Sequence, residues 1–310
     1  RRRQEVALSK KPPTALLGAF SLGGRHYSNY TDDVSVRLKI ECAYLGTRYS
    51  GWAKQSHRIT IQGEIERALA TVLHASLAEV TTVVAGRTDA GVHAIGQVAH
   101  ADLADSITLS PAALSSLAKR VNGALGTDEI TVYSIALAPE GFDARFSALS
   151  RHYEYRLADR PAHKNPLKKD ITAVSPYALQ PQAMNDAADA LLGLHDFRAF
   201  CRPRAGATTI RTLQSFSWRR EADGVLVAQL SADAFCHSMV RSLVGACVAV
   251  GRGVLSIPDL IAARDRGERT SLWVTMPAKG LTLCSVTYPP EETLAARAEQ
   301  TRASREKPRD

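Results

Sequence analysis

The order of helix and strand signals along the chain predicts an α+β protein built of two ferredoxin-like halves. Three observations predict it. Residues 34–140 read as strand, helix, strand, strand, helix, strand, the split βαβ order. The second half repeats the mixture, from a strand at His152–Leu157 to a last strand at Leu281–Tyr288. Between the two middle strands of the first half lies a loop in which Gly86 and Gly91 bracket Arg87, Thr88 and Asp89.

Each element has its own justification. Val34, Val36, Leu38, Ile40, Cys42 and Tyr44 alternate with Ser35, Arg37, Lys39 and Glu41, the pattern of a half-buried strand. Gly46–Gln55 is a loop rich in aromatic and basic groups. Ile61, Ile65, Leu69, Val72 and Leu73 recur at helical spacing, with Thr60 as cap. Apolar runs at Val80–Ala85 and Gly96–His100 flank the glycine-bracketed loop, whose two glycines are expected to let the backbone turn. Ser110 and Pro111 open a helix buried through Leu114, Leu117, Ala118 and Val121, and Glu129–Leu137 follows as a strand. In the second half, Met184, Ala187, Ala188, Leu191 and Leu192 mark a helix expected to end at Gly193. Ile210–Arg220 and Val225–Ser231 flank Glu221-Ala-Asp-Gly224, a hairpin signal. His237–Val250 is a strongly apolar helix, and Pro258–Arg266 a short one. The organisation expected is a flexible basic arm at 1–33, halves at 34–140 and 141–290, and a charged tail at 291–310 that is a frayed helix or disordered.

Composition narrows the function. Hydrophobic residues make up 45% of the chain and charged residues 23%, as in soluble globular proteins. No apolar run approaches the length of roughly 20 residues that a membrane span needs. No signal peptide is visible, so a cytoplasmic protein without a membrane partner is expected. The net charge of +8 favours a polyanionic partner, most simply nucleic acid. Cys42, Cys201, Cys236, Cys247 and Cys284 are scattered singly and read as buried free thiols. His93, His100, His195 and His237 lack metal-site spacing, so no metal is expected.

Three side chains carry the chemistry. The glycine-bracketed loop aims a carboxylate, Asp89, from between two apolar runs. Its glycines have the spacing of a phosphate loop, but Val92-His93 stands where Lys-Ser/Thr belongs, which removes that reading. Arg241 is the only formally charged residue of the apolar helix, and a buried Arg needs an anionic partner. Asp89 is the best-placed candidate, since both would lie where the halves meet. Gly141–Tyr155 crosses between the halves, and its Tyr153 could stack on a base or exchange a proton. Arg48, Lys54, Arg58, Arg151 and the basic loop Cys201–Arg211, with Arg202 and Arg204, are candidate phosphate contacts. With the aromatics Tyr49 and Trp52 they suit an RNA groove.

These motifs, in order, resemble the tRNA pseudouridine synthase A family. The resemblance runs over 34–290 and rests on Tyr44-Leu-Gly-Thr-Arg-Tyr-Ser-Gly-Trp52, Ala85-Gly-Arg-Thr-Asp-Ala-Gly-Val-His93, Gly96-Gln-Val-Ala-His100, Phe142-Asp-Ala-Arg-Phe-Ser-Ala148, Arg151-His-Tyr-Glu-Tyr155, Gly193-Leu-His-Asp-Phe197 and Ala234-Phe-Cys-His-Ser-Met-Val-Arg241. It implies isomerisation of uridine to pseudouridine at positions 38 to 40 of the tRNA anticodon arm, with base flipping and without cofactor or metal. It implies Asp89 as nucleophile, Tyr153 as an active-site tyrosine, Arg241 as the cation on Asp89, and Arg87 as the group that opens the stem. His93 and Arg145 lie in its motifs and are expected to contact substrate. It also implies a homodimer and two ferredoxin-like (RRM-like) subdomains sharing one continuous, mainly antiparallel sheet with tRNA in the central cleft. Two other readings are weighed beside it. A non-catalytic RNA-binding protein of doubled ferredoxin-like modules would not need the Asp89, Tyr153 and Arg241 set. A hydrolase using Asp89 would want a second carboxylic acid, and no paired carboxylate motif stands out.

Overall fold

The structure, a computed structural model, describes residues 36–160, 163–202 and 208–302. The 1–33 arm, Arg204 and the last eight residues of the tail lie outside the described residues. Ten strands form one open, mostly antiparallel sheet, with six α-helices among the described residues.

The first half is β1 (Arg37–Tyr44), α1 (Ile61–Leu73), β2 (Val80–Val84), β3 (His93–Leu103), α2 (Pro111–Leu125) and β4 (Ile130–Leu137). Strict alternation buries Leu38, Ile40, Cys42 and Tyr44 of β1 on one face. Thr60 accepts a hydrogen bond from the Gly63 amide at the start of α1, and Ser110 caps α2 through the Ala113 amide. Gly126, in the left-handed conformation, ends α2. Strand β1 pairs with β4 on one side and β3 on the other, and β3 pairs with β2, so the first half has the order β4-β1-β3-β2.

The second half adds β5 (Ser150–Ala158), β6 (Ala173–Val174), α3 (Pro181–Asp189), β7 (Gly193–Asp196), β8 (Ile210–Arg220), β9 (Leu226–Ala232), α4 (Met239–Gly251), α5 (Ile257–Arg266) and β10 (Leu281–Thr287). Its order β10-β5-β9-β8 repeats that of the first half, element for element, once β6, β7 and α5 are set aside as additions. The join is one strand pairing: β10 runs parallel to the start of β3, with Thr282 opposite His93 and Leu283 opposite Ala94. Farther along β3, residues Ala99–Leu103 pair with β2 instead. The β2–β3 loop therefore sits at the seam, where β2 stops and β10 begins.

Three expectations change. Helix α3 ends at Asp189, and Gly193, with a positive φ, opens β7 rather than capping a helix. The tail holds α6 (Leu294–Arg302), which is docked and not frayed. Leu294 and Ala298 are buried, Ser147 donates to the Leu294 carbonyl, and Arg302 pairs with Asp143 at 3.0 Å. Of the five cysteines, Cys42, Cys201 and Cys247 are buried, but Cys236 and Cys284 are only partly so. Among the described residues, no helix is long and apolar enough to cross a membrane.

Candidate active site

The loop from Ala85 to Val92 is held from three sides. On the first, the Gly46–Gln55 segment lies against it: the Trp52 amide donates to the Thr88 carbonyl and the Gly91 amide to the Tyr49 carbonyl. That approach requires Gly51, whose backbone is left-handed and whose Cβ would lie 2.8 Å from the Thr88 carbonyl oxygen. On the second, Gln97 donates to the Gly86 carbonyl and to the Tyr44 hydroxyl, which in turn meets the Thr88 hydroxyl at 2.8 Å. On the third, the Arg151 guanidinium donates to the Ala85 carbonyl. Of the two bracketing glycines only Gly91, with its positive φ, needs to be glycine on conformational grounds. Gly86 is not left-handed, and a Cβ there would first meet Arg151 Cγ at 3.9 Å.

Asp89 points from this loop toward the start of α4, and the expected partner is there. Arg241 Nη1 lies 3.2 Å from Asp89 Oδ2, with each side chain about one-fifth exposed. Arg241 is aimed from behind: its Nε donates to the Met276 carbonyl, and the Met276 amide donates to the Arg241 carbonyl. The 273–277 segment can lie this close because α4 carries Gly245, where a Cβ would clash with the Val274 carbonyl oxygen. Trp273 donates to Ser242 and Tyr155 to the Pro277 carbonyl, fixing the same segment.

Sequence reasoning missed two more partners of Asp89. Ser238 donates to Oδ2 at 3.2 Å, and His237 Nε2 stands 3.4 Å from Oδ1 with half its side chain exposed. Ser238 is the cap position of α4 and has a left-handed backbone, which sequence spacing does not announce. The carboxylate thus has one oxygen fixed by Arg241 and Ser238 and the other facing an imidazole, yet it keeps some exposure. A held, accessible anion of this kind can attack an electrophilic carbon or take a proton.

Tyr153 comes from β5 and is buried against Phe235, ring centroids 5.2 Å apart and nearly perpendicular. Burial, and secondarily the Asp89 charge, raise its phenol well above the usual range. It therefore stays neutral around pH 7, suited to donate a hydrogen bond rather than to act as a phenolate base.

The expected RNA contacts divide. Arg48, Lys54, Arg58, Arg87, Arg145 and Arg202 are exposed. Lys54 also pairs with the buried Glu66 at 3.2 Å, and the Arg202 amide donates to the His237 carbonyl. Tyr49, His93 and Arg151 are buried and cannot be surface contacts, and Trp52 is buried too. His93 is a clamp: the Gly46 amide donates to its Nδ1, and its Nε2 meets the Lys279 carbonyl at 3.2 Å. Tyr49 and Trp52 join the core under the loop, because burying an aromatic ring there gains more than leaving it in water for a base. Among the described residues, no three His, Cys, Asp or Glu side chains are placed to hold a metal ion.

Comparison with known proteins agrees with these motifs. A family described as tRNA pseudouridine synthase matches residues 187–289. The chain is 52% identical over 284 residues to the tRNA pseudouridine synthase A of Leifsonia xyli subsp. xyli, covering 88% of this chain and 99% of that one. It is 50% identical over 273 residues to the protein of the same name from Frankia casuarinae, covering 88% of this chain and 97% of that one. For the one from Corynebacterium glutamicum the identity is 46% over 285 residues, covering 88% of this chain and 96% of that one.

Proposed function

The chain belongs to the tRNA pseudouridine synthase A family, and on that premise we propose that Asp89, set between Arg241 and His237, carries out the isomerisation of uridine in tRNA. The enzyme is an isomerase that turns uridine into pseudouridine in tRNA. The observation that carries the residue assignment is the Asp89–Arg241 contact at 3.2 Å, made between residues 152 apart in sequence.

The reaction is balanced within the nucleotide. The C1′–N1 bond breaks, the uracil turns, C1′ bonds to C5, the C5 proton leaves and N1 gains one. Asp89 can attack C1′, deprotonate C2′ on the way to a glycal, or add to uracil C6; each route needs a carboxylate held in place with little reorganisation. Arg241 and Ser238 hold one oxygen, so the other faces the substrate beside His237. Tyr153, kept neutral, supplies a hydroxyl for proton relay or a ring for the flipped base. A uridine in a stem must leave the stack, at a cost of a few kcal/mol that contacts to the displaced strand offset. Arg87 is exposed on the same loop as Asp89 and is the group that enters the stem in this reading. Arg48, Lys54, Arg58, Arg145 and Arg202 are the phosphate contacts. The substrate is the anticodon arm at positions 38 to 40, the enzyme is a cytoplasmic homodimer, and residues 34–140 and 141–290 are its two subdomains, with RNA along the seam. Mapping pseudouridine in tRNA from cells with and without this protein tests the reading. Loss confined to positions 38 to 40 is expected; unchanged tRNA would contradict it.

A further inference from the structure

We propose that Arg151 is a positioning residue of the isomerisation, pinning the segments that deliver Asp89 and its partners, and is not the phosphate contact its basic neighbourhood suggests. The proposal rests on the assignment of Asp89 above. Arg151 lies on β5, between β10 and β9, and only 5% of it is exposed. Each hydrogen bond of its guanidinium ends on a backbone carbonyl. Nε and Nη2 both donate to Ala85, at 3.2 and 2.7 Å; Nη1 donates to Asp233 at 2.6 Å; Nη2 also donates to Arg145 at 2.6 Å.

The positions of the three carbonyls connect them to the site. Ala85 enters the catalytic loop and stands four residues before Asp89. Asp233 follows β9 and stands four residues before His237 and five before Ser238, the two groups on Asp89 besides Arg241. The Asp233 carboxylate also fixes this turn by accepting from the amides of Thr212 and Ala234. Arg145 belongs to the segment crossing between the halves and is itself exposed. One planar fork therefore ties loop, α4 approach and crossing segment together. A cation buried this way is held by carbonyl dipoles, and burial disfavours its charge, which gives the arrangement a cost that packing alone would not demand. Lysine has one nitrogen in place of a planar fork, so it cannot take up the separate positions from which Nε, Nη1 and Nη2 meet these carbonyls.

Two variants and one small molecule test this. Arg151→Ala and Arg151→Lys are compared with wild type for kcat and KM on tRNA, and for tRNA affinity as a function of salt. Methylguanidine is then added to Arg151→Ala and, as a control, to Asp89→Asn. A fall in kcat of about 100-fold is expected in both Arg151 variants, the size that a displaced catalytic group produces. KM and the salt slope should hold, and methylguanidine should restore part of kcat in Arg151→Ala and none in Asp89→Asn. If Arg151→Ala does not fold, Arg151→Lys, which keeps the charge and most of the volume, reports by itself through kcat against KM. A loss confined to KM, with the salt slope reduced by roughly 0.7 to 0.9, the contribution of one phosphate, would overturn the proposal in favour of direct RNA contact. Wild-type kcat in Arg151→Lys or Arg151→Ala would also overturn it. A wild-type protein that forms no pseudouridine in tRNA would instead contradict the function itself.

Discussion

Asp89 shares one oxygen with Arg241 and Ser238 and turns the other toward His237, and what each residue contributes can be separated by substitution. Arg241→Leu should lower kcat by about 100-fold or more while tRNA binding holds, because the loss acts through the placement of Asp89. Unchanged turnover, measured as pseudouridine formed per enzyme, would contradict the pairing as a functional contact. The glycines give a second test. Gly51→Ala puts a Cβ against the Thr88 carbonyl at an unfavourable φ and should cost activity through the loop, whereas Gly86→Ala should be tolerated. Equal effects in a kcat comparison would contradict the account of how the loop is held. Asp89 and Arg241 are both legible in the sequence, one as a loop carboxylate between strands, the other as a charge with no charged company in its helix. Ser238 and His237 are not, because their approach depends on a left-handed turn at the α4 cap. Tyr49 and His93 mislead for the opposite reason: polar or aromatic residues in a loop motif can face inward and hold it.

At the scale of elements, two buried histidines act as neutral clamps. His93 accepts from the Gly46 amide at the start of β3, and His100, later on β3, accepts from the Ala144 amide in the crossing segment. Burial lowers both pKa values, so each ring is neutral in the fold and free to accept. The unfolded chain takes up protons first as pH falls below about 6.5, and so the stability these groups give is full above that pH and is lost below it. Thermal or urea midpoints should therefore fall between pH 7 and 5, and His93→Gln with His100→Gln should flatten that slope. An unchanged slope in the double variant would contradict the clamps. On β8, Arg220 grips the buried Asp159, just past β5, with two bonds of 2.8 and 2.9 Å. Without Arg220 the Asp159 carboxylate loses two guanidinium bonds and keeps the His163 imidazole and the Leu179 amide, so Arg220→Leu should destabilise the fold by about 2 kcal/mol in urea titration. A change below about 0.5 kcal/mol would place the pair among inconsequential surface contacts. The element order is legible because alternation is strong in β1, helical spacing in α1, and α4 is one long apolar run. The docking of α6 is not, since its helix has no clear apolar stripe and is held by Ser147 and Asp143 from a distant loop.

For the molecule as a whole, the repeated order β4-β1-β3-β2 and β10-β5-β9-β8, joined by the β3–β10 pairing, brings residues 89 and 241 to one seam. The doubled βαββαβ pattern can be read from the sequence; the strand pairing that joins the halves cannot, because two residue pairs of parallel register leave no periodic signal. The surface charge belongs to this scale as well. With a net charge of +8 and exposed Arg48, Arg58, Arg87, Arg145 and Arg202, tRNA affinity should fall steeply with salt. Arg58→Ala or Arg202→Ala should each reduce the salt slope by roughly 0.7 to 0.9 with little change in kcat. An unchanged slope in either would remove that residue from the interface. The most direct test of the central claim is a comparison of wild type and Asp89→Asn for pseudouridine formed in tRNA and for tRNA binding in the same buffer. Loss of all measurable isomerisation with tRNA affinity within a few-fold of wild type is expected; an Asp89→Asn enzyme that still converts uridine at the wild-type rate would contradict the account.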